Sequence, residues 1–98
     1  MRHFVLLVLM VIPGLVLADG DPKAGEAKSR ICAACHGMKG ISSNDLWPNL
    51  AGQKKGYLIK QIKEFRDGKR VDPSMAPMVK PLSDQDIEDI AAYYAGMK

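Results

Sequence analysis

Apolar positions along the chain fall into one long run and three periodic stripes. The run, Phe4 to Leu17, is 14 residues long, is interrupted only by Pro13-Gly14 and follows the basic start Met1-Arg2-His3. It closes on Val16-Leu17-Ala18, which places small or β-branched residues at the −3 and −1 positions of a cleavage site before Asp19. This is the layout of a secretory leader. The run is also shorter than the roughly 20 apolar residues a spanning helix needs. The expectation is a signal peptide over 1–18, cleaved after Ala18, and a working domain over 19–98 with no stable membrane insertion.

The three stripes have helical spacing. Asp21-Pro22 offers an N-cap followed by proline at the first helical position, and Ala24, Ala27 and Ile31 then recur at i, i+3 and i+7. Leu58, Ile62 and Phe65 share a face over about Lys54 to Asp67, with Gly68 as a C-terminal stop. Ser83 can cap a third helix whose first turn holds Asp84 and Asp86 and whose stripe is Ile87, Ile90, Ala91 and Tyr94, ending at Gly96. Strand-like alternation is absent, so the fold class is all-α. Two long segments separate the helices: Gly37 to Gly52, rich in Gly, Ser, Asn and Pro, and Lys69 to Leu82, with three prolines and two methionines. Such loops are unusual in a small domain; wrapping a cofactor would account for them.

Composition sharpens the picture. Of 98 residues, 47% are hydrophobic and the formal net charge is +3, so the chain is neither a disordered tail nor a strongly basic one. Removal of a leader takes Arg2 and His3 with it and leaves His36 as the single histidine. That excludes multi-histidine metal sites and complete Ser-His-Asp or Cys-His-Asn sets. About 80 residues bury too little surface for comfortable stability, and small exported domains usually add a staple. Two cysteines three positions apart close only a tiny loop, which removes little unfolded-state entropy.

The chemistry concentrates in Cys32-Ala33-Ala34-Cys35-His36, a pattern that reads as covalent attachment of c-type haem. Two thiols add across the two porphyrin vinyl groups, the next residue offers an imidazole to the iron, and the macrocycle becomes the missing core. Zinc would need a fourth soft ligand, which the chain lacks. A thiol–disulfide redox pair usually comes with a βαβ pattern, also lacking. For the second face of the iron, Met38 is too near His36 and Met97 too near the chain end. Met75 and Met78, in the proline-rich segment, remain as candidates.

Taken together, these residues resemble the class I c-type cytochromes, and within them the short bacterial monohaem branch that also forms the halves of two-haem periplasmic cytochromes. The resemblance covers nearly all of residues 21–96. It rests on Cys32-Ala33-Ala34-Cys35-His36-Gly37, Pro48-Asn49-Leu50-Ala51-Gly52-Gln53, Tyr57-Leu58, Gln61, Phe65-Arg66-Asp67-Gly68, Met75-Ala76-Pro77-Met78, Leu82-Ser83-Asp84 and Ala91-Ala92-Tyr93-Tyr94. It implies a small class I cytochrome c fold, with three main helices and long loops wrapped round one covalent haem c. It favours Met75, eight residues before the capping Ser83, over Met78 as the sixth ligand. It gives the Pro48 backbone carbonyl the role of accepting the outer ring N–H of His36, and places Gly25 and the Ile90/Tyr93 region where the first and last helices meet.

With His36 and Met75 as iron ligands, the expected function is one-electron transport in the periplasm between redox proteins, with no catalysis of its own. The alternative is a cytochrome subunit of a larger oxidoreductase complex. The expected protein is a monomer that does not bind nucleic acid. Seven positive charges over 54–70 (Lys54, Lys55, Lys60, Lys63, Arg66, Lys69, Arg70) suggest a basic docking face, opposed by an acidic last helix of Asp84, Asp86, Glu88 and Asp89.

Overall fold

The structure is a computed structural model and describes residues 19–97. The expected leader, 1–18, lies outside the described residues. Five helices follow in order: α1 (Pro22–Lys28), α2 (Arg30–His36), α3 (Lys55–Arg66), α4 (Met75–Val79) and α5 (Asp84–Ala95). No strand occurs among the described residues.

Two differences from the three-helix expectation have local causes. The first helix divides at Ser29. Its hydroxyl donates to the Glu26 carbonyl (2.8 Å), its N–H is shared between the Gly25 and Glu26 carbonyls (2.9 and 3.3 Å), and its ψ of 0° leaves the helical range. Serine back-bonding of this kind competes with the main-chain ladder and bends a helix. The second difference is α4, inside a segment expected to be irregular. Asp72 builds it: its carboxylate accepts from the N–H groups of Ser74 (2.8 Å) and Met75 (3.2 Å), and its carbonyl accepts from Ala76 (3.0 Å). Pro77 comes next, in the first turn, where a missing N–H has no consequence. The orphan donors that oppose a one-turn helix are thus supplied or absent.

The α3 stop is as expected. Lys69 and Arg70 donate to the Glu64 carbonyl (2.9 and 3.0 Å) around Gly68, which has φ +81°, a glycine-dependent C-cap. At α5 a full capping box forms: Asp86 N–H donates to Ser83 Oγ (3.0 Å) and Ser83 N–H to Asp86 Oδ2 (2.9 Å).

The core lies where α1 and α3 meet α5, with Cys32 of α2 packed against it. Leu58, Ile90, Ala91 and Tyr94 form its centre, with Cys32, Leu50, Ile59, Ile62, Leu82, Tyr93 and Met97 packed around them. The expected α5 stripe is buried along its whole length. Gly25 permits the α1–α5 approach. A Cβ there would overlap the Asp89 carbonyl and stand 2.9 Å from the Tyr93 Cβ.

A buried carboxylate locks this crossing. Asp89 is fully shielded from water. It accepts from the Asp21 N–H (2.8 Å), Gln85 Nε2 (3.0 Å) and Lys28 Nζ (2.6 Å), and Lys28 also reaches Asp86 (2.9 Å). Burial pushes the Asp89 carboxyl up, but these donors outweigh it and hold the group below the usual range. Lys28, held chiefly by Asp89 and then Asp86, is pushed up.

Candidate haem site

Helix α2 carries Cys32, Cys35 and His36, the three residues of the expected haem motif. Cys32 is half-buried against α5, Cys35 is exposed, and the two are not bridged. His36 is the last residue of α2 and only 6% exposed. Gly37 stops the helix with its N–H on the Ala33 carbonyl (2.9 Å) and φ +89°. A Cβ at Gly37 would overlap the Ile41 carbonyl, so the sharp exit after His36 needs glycine.

The chain then folds back on itself in a loop closed by its own polar groups. The Gly40 carbonyl accepts from Leu50 and Ala51 (2.8 and 3.0 Å). Asn49 Oδ1 accepts from Ser42 N–H (2.7 Å), and Asn44 Oδ1 from Leu46 N–H (2.8 Å). These side-chain turns set the loop's shape. They bring the Pro48 carbonyl 2.7 Å from His36 Nδ1. That contact places the ring proton on Nδ1 and leaves Nε2 as the nitrogen able to bind a metal.

The proline-rich segment is less even-handed than its paired methionines suggest. Met75 is half-buried at the start of α4, whereas Met78 is 48% exposed. Apolar side chains stand in solvent in both long loops, among them Ile41, Leu46 and Trp47 in one and Val71 and Met78 in the other.

The donor set suits a covalent haem. The two thiols are unbridged and the imidazole is oriented by its second nitrogen. Among the described residues no three His, Cys, Asp or Glu side chains gather as a metal cage. Burial pushes the Cys32 thiol up to about 11, so it stays neutral and gains nothing as a thiolate centre.

Charge is distributed differently from expectation. All four acids of α5 are paired: Asp84 with Arg66 (2.8 Å), Asp86 and Asp89 with Lys28, and Glu88 with Lys55 (3.6 Å). No bare acidic face exists there. Within 54–70, Lys60 pairs with Glu64 (3.8 Å), and Arg70 lies over the Phe65 ring (4.5 Å) while donating to Gln61 (2.5 Å). Among the described residues Lys54, Lys63 and Lys69 of this segment take part in no ion pair.

These features define a c-type cytochrome. The sequence pattern of the cytochrome c family matches residues 24–98, and the chain belongs to that family. Cytochrome c4 of Pseudomonas aeruginosa is 47% identical over 93 residues, covering 95% of this chain and 46% of that protein. Cytochrome c-554(548) of Halomonas halodenitrificans is 48% identical over 82 residues, covering 81% of this chain and 99% of that protein. The crystal structure of reduced recombinant cytochrome c4 from Pseudomonas stutzeri matches with a TM-score of 0.77 at 43% identity, covering 81% of this chain and 46% of that one. The chain thus spans about half the length of the cytochrome c4 proteins it matches. The fold is the class I cytochrome c fold, and the cofactor is one covalent haem c.

Proposed function

We propose that the chain is a periplasmic one-electron carrier that exchanges electrons with redox proteins and catalyses no reaction of its own. The observation that carries this reading is the buried His36, its Nδ1 held at 2.7 Å by the Pro48 carbonyl, directly after two unbridged cysteines. Bound haem supplies an Fe(II)/Fe(III) couple. The chain's residues supply the rest. Cys32 and Cys35 provide the thioether bonds. His36 Nε2 would be one iron ligand, with the Pro48 carbonyl fixing its tautomer. Met75, half-buried where Met78 is exposed, would be the other ligand. A thioether on this face favours the reduced state and raises the potential. With both faces taken, the chain leaves no position for a substrate, which argues for transport rather than catalysis.

Export fits the leader pattern of residues 1–18. Among the described residues no helix is long and apolar enough to cross a membrane. Lys54, Lys63 and Lys69 suit a brief, salt-dependent encounter with an acidic redox partner. The test is an optical and potentiometric titration of the purified protein. The expected result is a reversible one-electron transition of a low-spin haem that resists extraction by acidified solvent. Colourless, well-folded protein would overturn the reading. The half-length match to cytochrome c4 favours a second reading, a subunit of a larger assembly. Size exclusion of native extract separates the two, with a lone species near 10 kDa expected for the carrier.

A further inference from the structure

Tyr94 of α5 belongs to the core cluster against which Cys32 of α2 packs, and it is 1% exposed. Its main-chain carbonyl is well used, accepting from the N–H groups of Gly52 (2.9 Å) and Met97 (3.1 Å). Its hydroxyl is not. Among the described residues it is the buried side-chain polar atom that completes no hydrogen bond. Native interiors rarely leave such a group unpaired, and each instance calls for a chemical reason. Ser29 and Cys32 are the side chains that act on the hydroxyl's titration through hydrogen bonding, yet neither completes a bond to it. Ser29 gives its proton to the Glu26 carbonyl, so toward Tyr94 its oxygen could serve only as an acceptor. Cys32 packs against the core cluster that contains Tyr94, and its sulfur, as a thiol, is a weak and ambiguous partner. Once that sulfur becomes a thioether it holds no proton and can only accept.

We propose that Tyr94 is a positioning residue for electron transfer: in the haem-bearing protein its hydroxyl donates to the Cys32 sulfur and biases the centre toward its reduced state. The direction follows from electrostatics. The O–H dipole turns its positive end toward the macrocycle, and in a water-poor interior that end stabilises the state carrying one more electron. Hydrogen bonds around a redox centre are a general lever on its potential. The inference rests on the carrier reading above.

The experiment compares Tyr94→Phe, Tyr93→Phe and Ser29→Ala with the wild-type holoprotein. Tyr94→Phe is expected to keep the wild-type spectrum. Its midpoint falls, so that at the wild-type midpoint the ferric-to-ferrous ratio rises about three-fold, within the range of one hydrogen bond. Tyr93→Phe and Ser29→Ala are expected to leave the midpoint unchanged. In wild-type protein, proton NMR is expected to show a slowly exchanging Tyr94 hydroxyl proton close to the Cys32 β-protons. An unchanged midpoint in Tyr94→Phe, an equal fall in Ser29→Ala, or a fast-exchanging Tyr94 hydroxyl would each overturn the proposal. Each leaves the carrier reading intact, which fails instead if wild-type protein binds no haem.

Discussion

Gly25 of α1 lies so close to Asp89 of α5 that a methyl group on the glycine would occupy the space of the aspartate's carbonyl oxygen. The obstacle is main chain on a helix, so no rotamer change relieves it. Gly25→Ala is expected to force the first and last helices apart and cost at least about 2 kcal/mol. Denaturant unfolding of the holoprotein measures this. A variant as stable as wild type would mean that the two helices slide freely.

Asp89 governs the acid limb of stability. Asp86 and Asp89 are held below their ordinary carboxylate range. Their contribution is therefore complete above about pH 4, where they are also charged in the unfolded chain, and it fades as the pH falls through their lower folded values. Lys28 is pushed up, so its share is complete below about pH 10 and is lost as the pH rises through its folded value. Asp89→Asn is expected to cost roughly 1–3 kcal/mol at neutral pH and to flatten the acid limb. Thermal melts from pH 3 to 8 show both.

The two methionines of α4 separate spectroscopically. Under the proposed ligation, Met75→Ala loses the weak far-red sulfur–iron band and lowers the midpoint, whereas Met78→Ala retains both. The reverse pattern would assign the sixth ligand to Met78 and place a half-buried Met75 in the role of packing.

Pro48 contributes a main-chain atom, which a side-chain substitution does not remove. Pro48→Ala is expected to keep the His36 contact and the wild-type spectrum. It should lose about 0.4–1 kcal/mol, because the unfolded chain becomes freer. A large spectral change would show that the ring fixes the carbonyl's direction as well as the chain's entropy.

Much of this molecule could be read from residue order. The α5 cap at Ser83 and Asp86, the Gly68 stop and the Ile87–Tyr94 stripe are local signals, and local signals survive folding. The break at Ser29 turned on a single hydroxyl choosing a carbonyl three residues back, a choice that spacing does not report. Helix α4 depended on Asp72 serving several donors at once while Pro77 needed none. A proline-rich tract reads as irregular until those bonds are counted. The attachment motif is contiguous and therefore plain, and the His36–Pro48 bond was reached through a family resemblance. The pairing of every α5 acid with Lys28, Lys55 or Arg66 depends on helices distant in sequence. Net charge along the chain could not separate those committed charges from Lys54, Lys63 and Lys69.

The cover that α5 lays over Cys32 has a bearing on assembly. His36 and Pro48 are twelve positions apart and can meet early, but α5 follows every other helix in the chain and its closing partner α1 is the first. Bringing such distant segments together costs loop-closure entropy. Cys32 is half-buried against a cluster to which α5 contributes Ile90, Ala91 and Tyr94, so its sulfur is easier to reach before α5 packs than after.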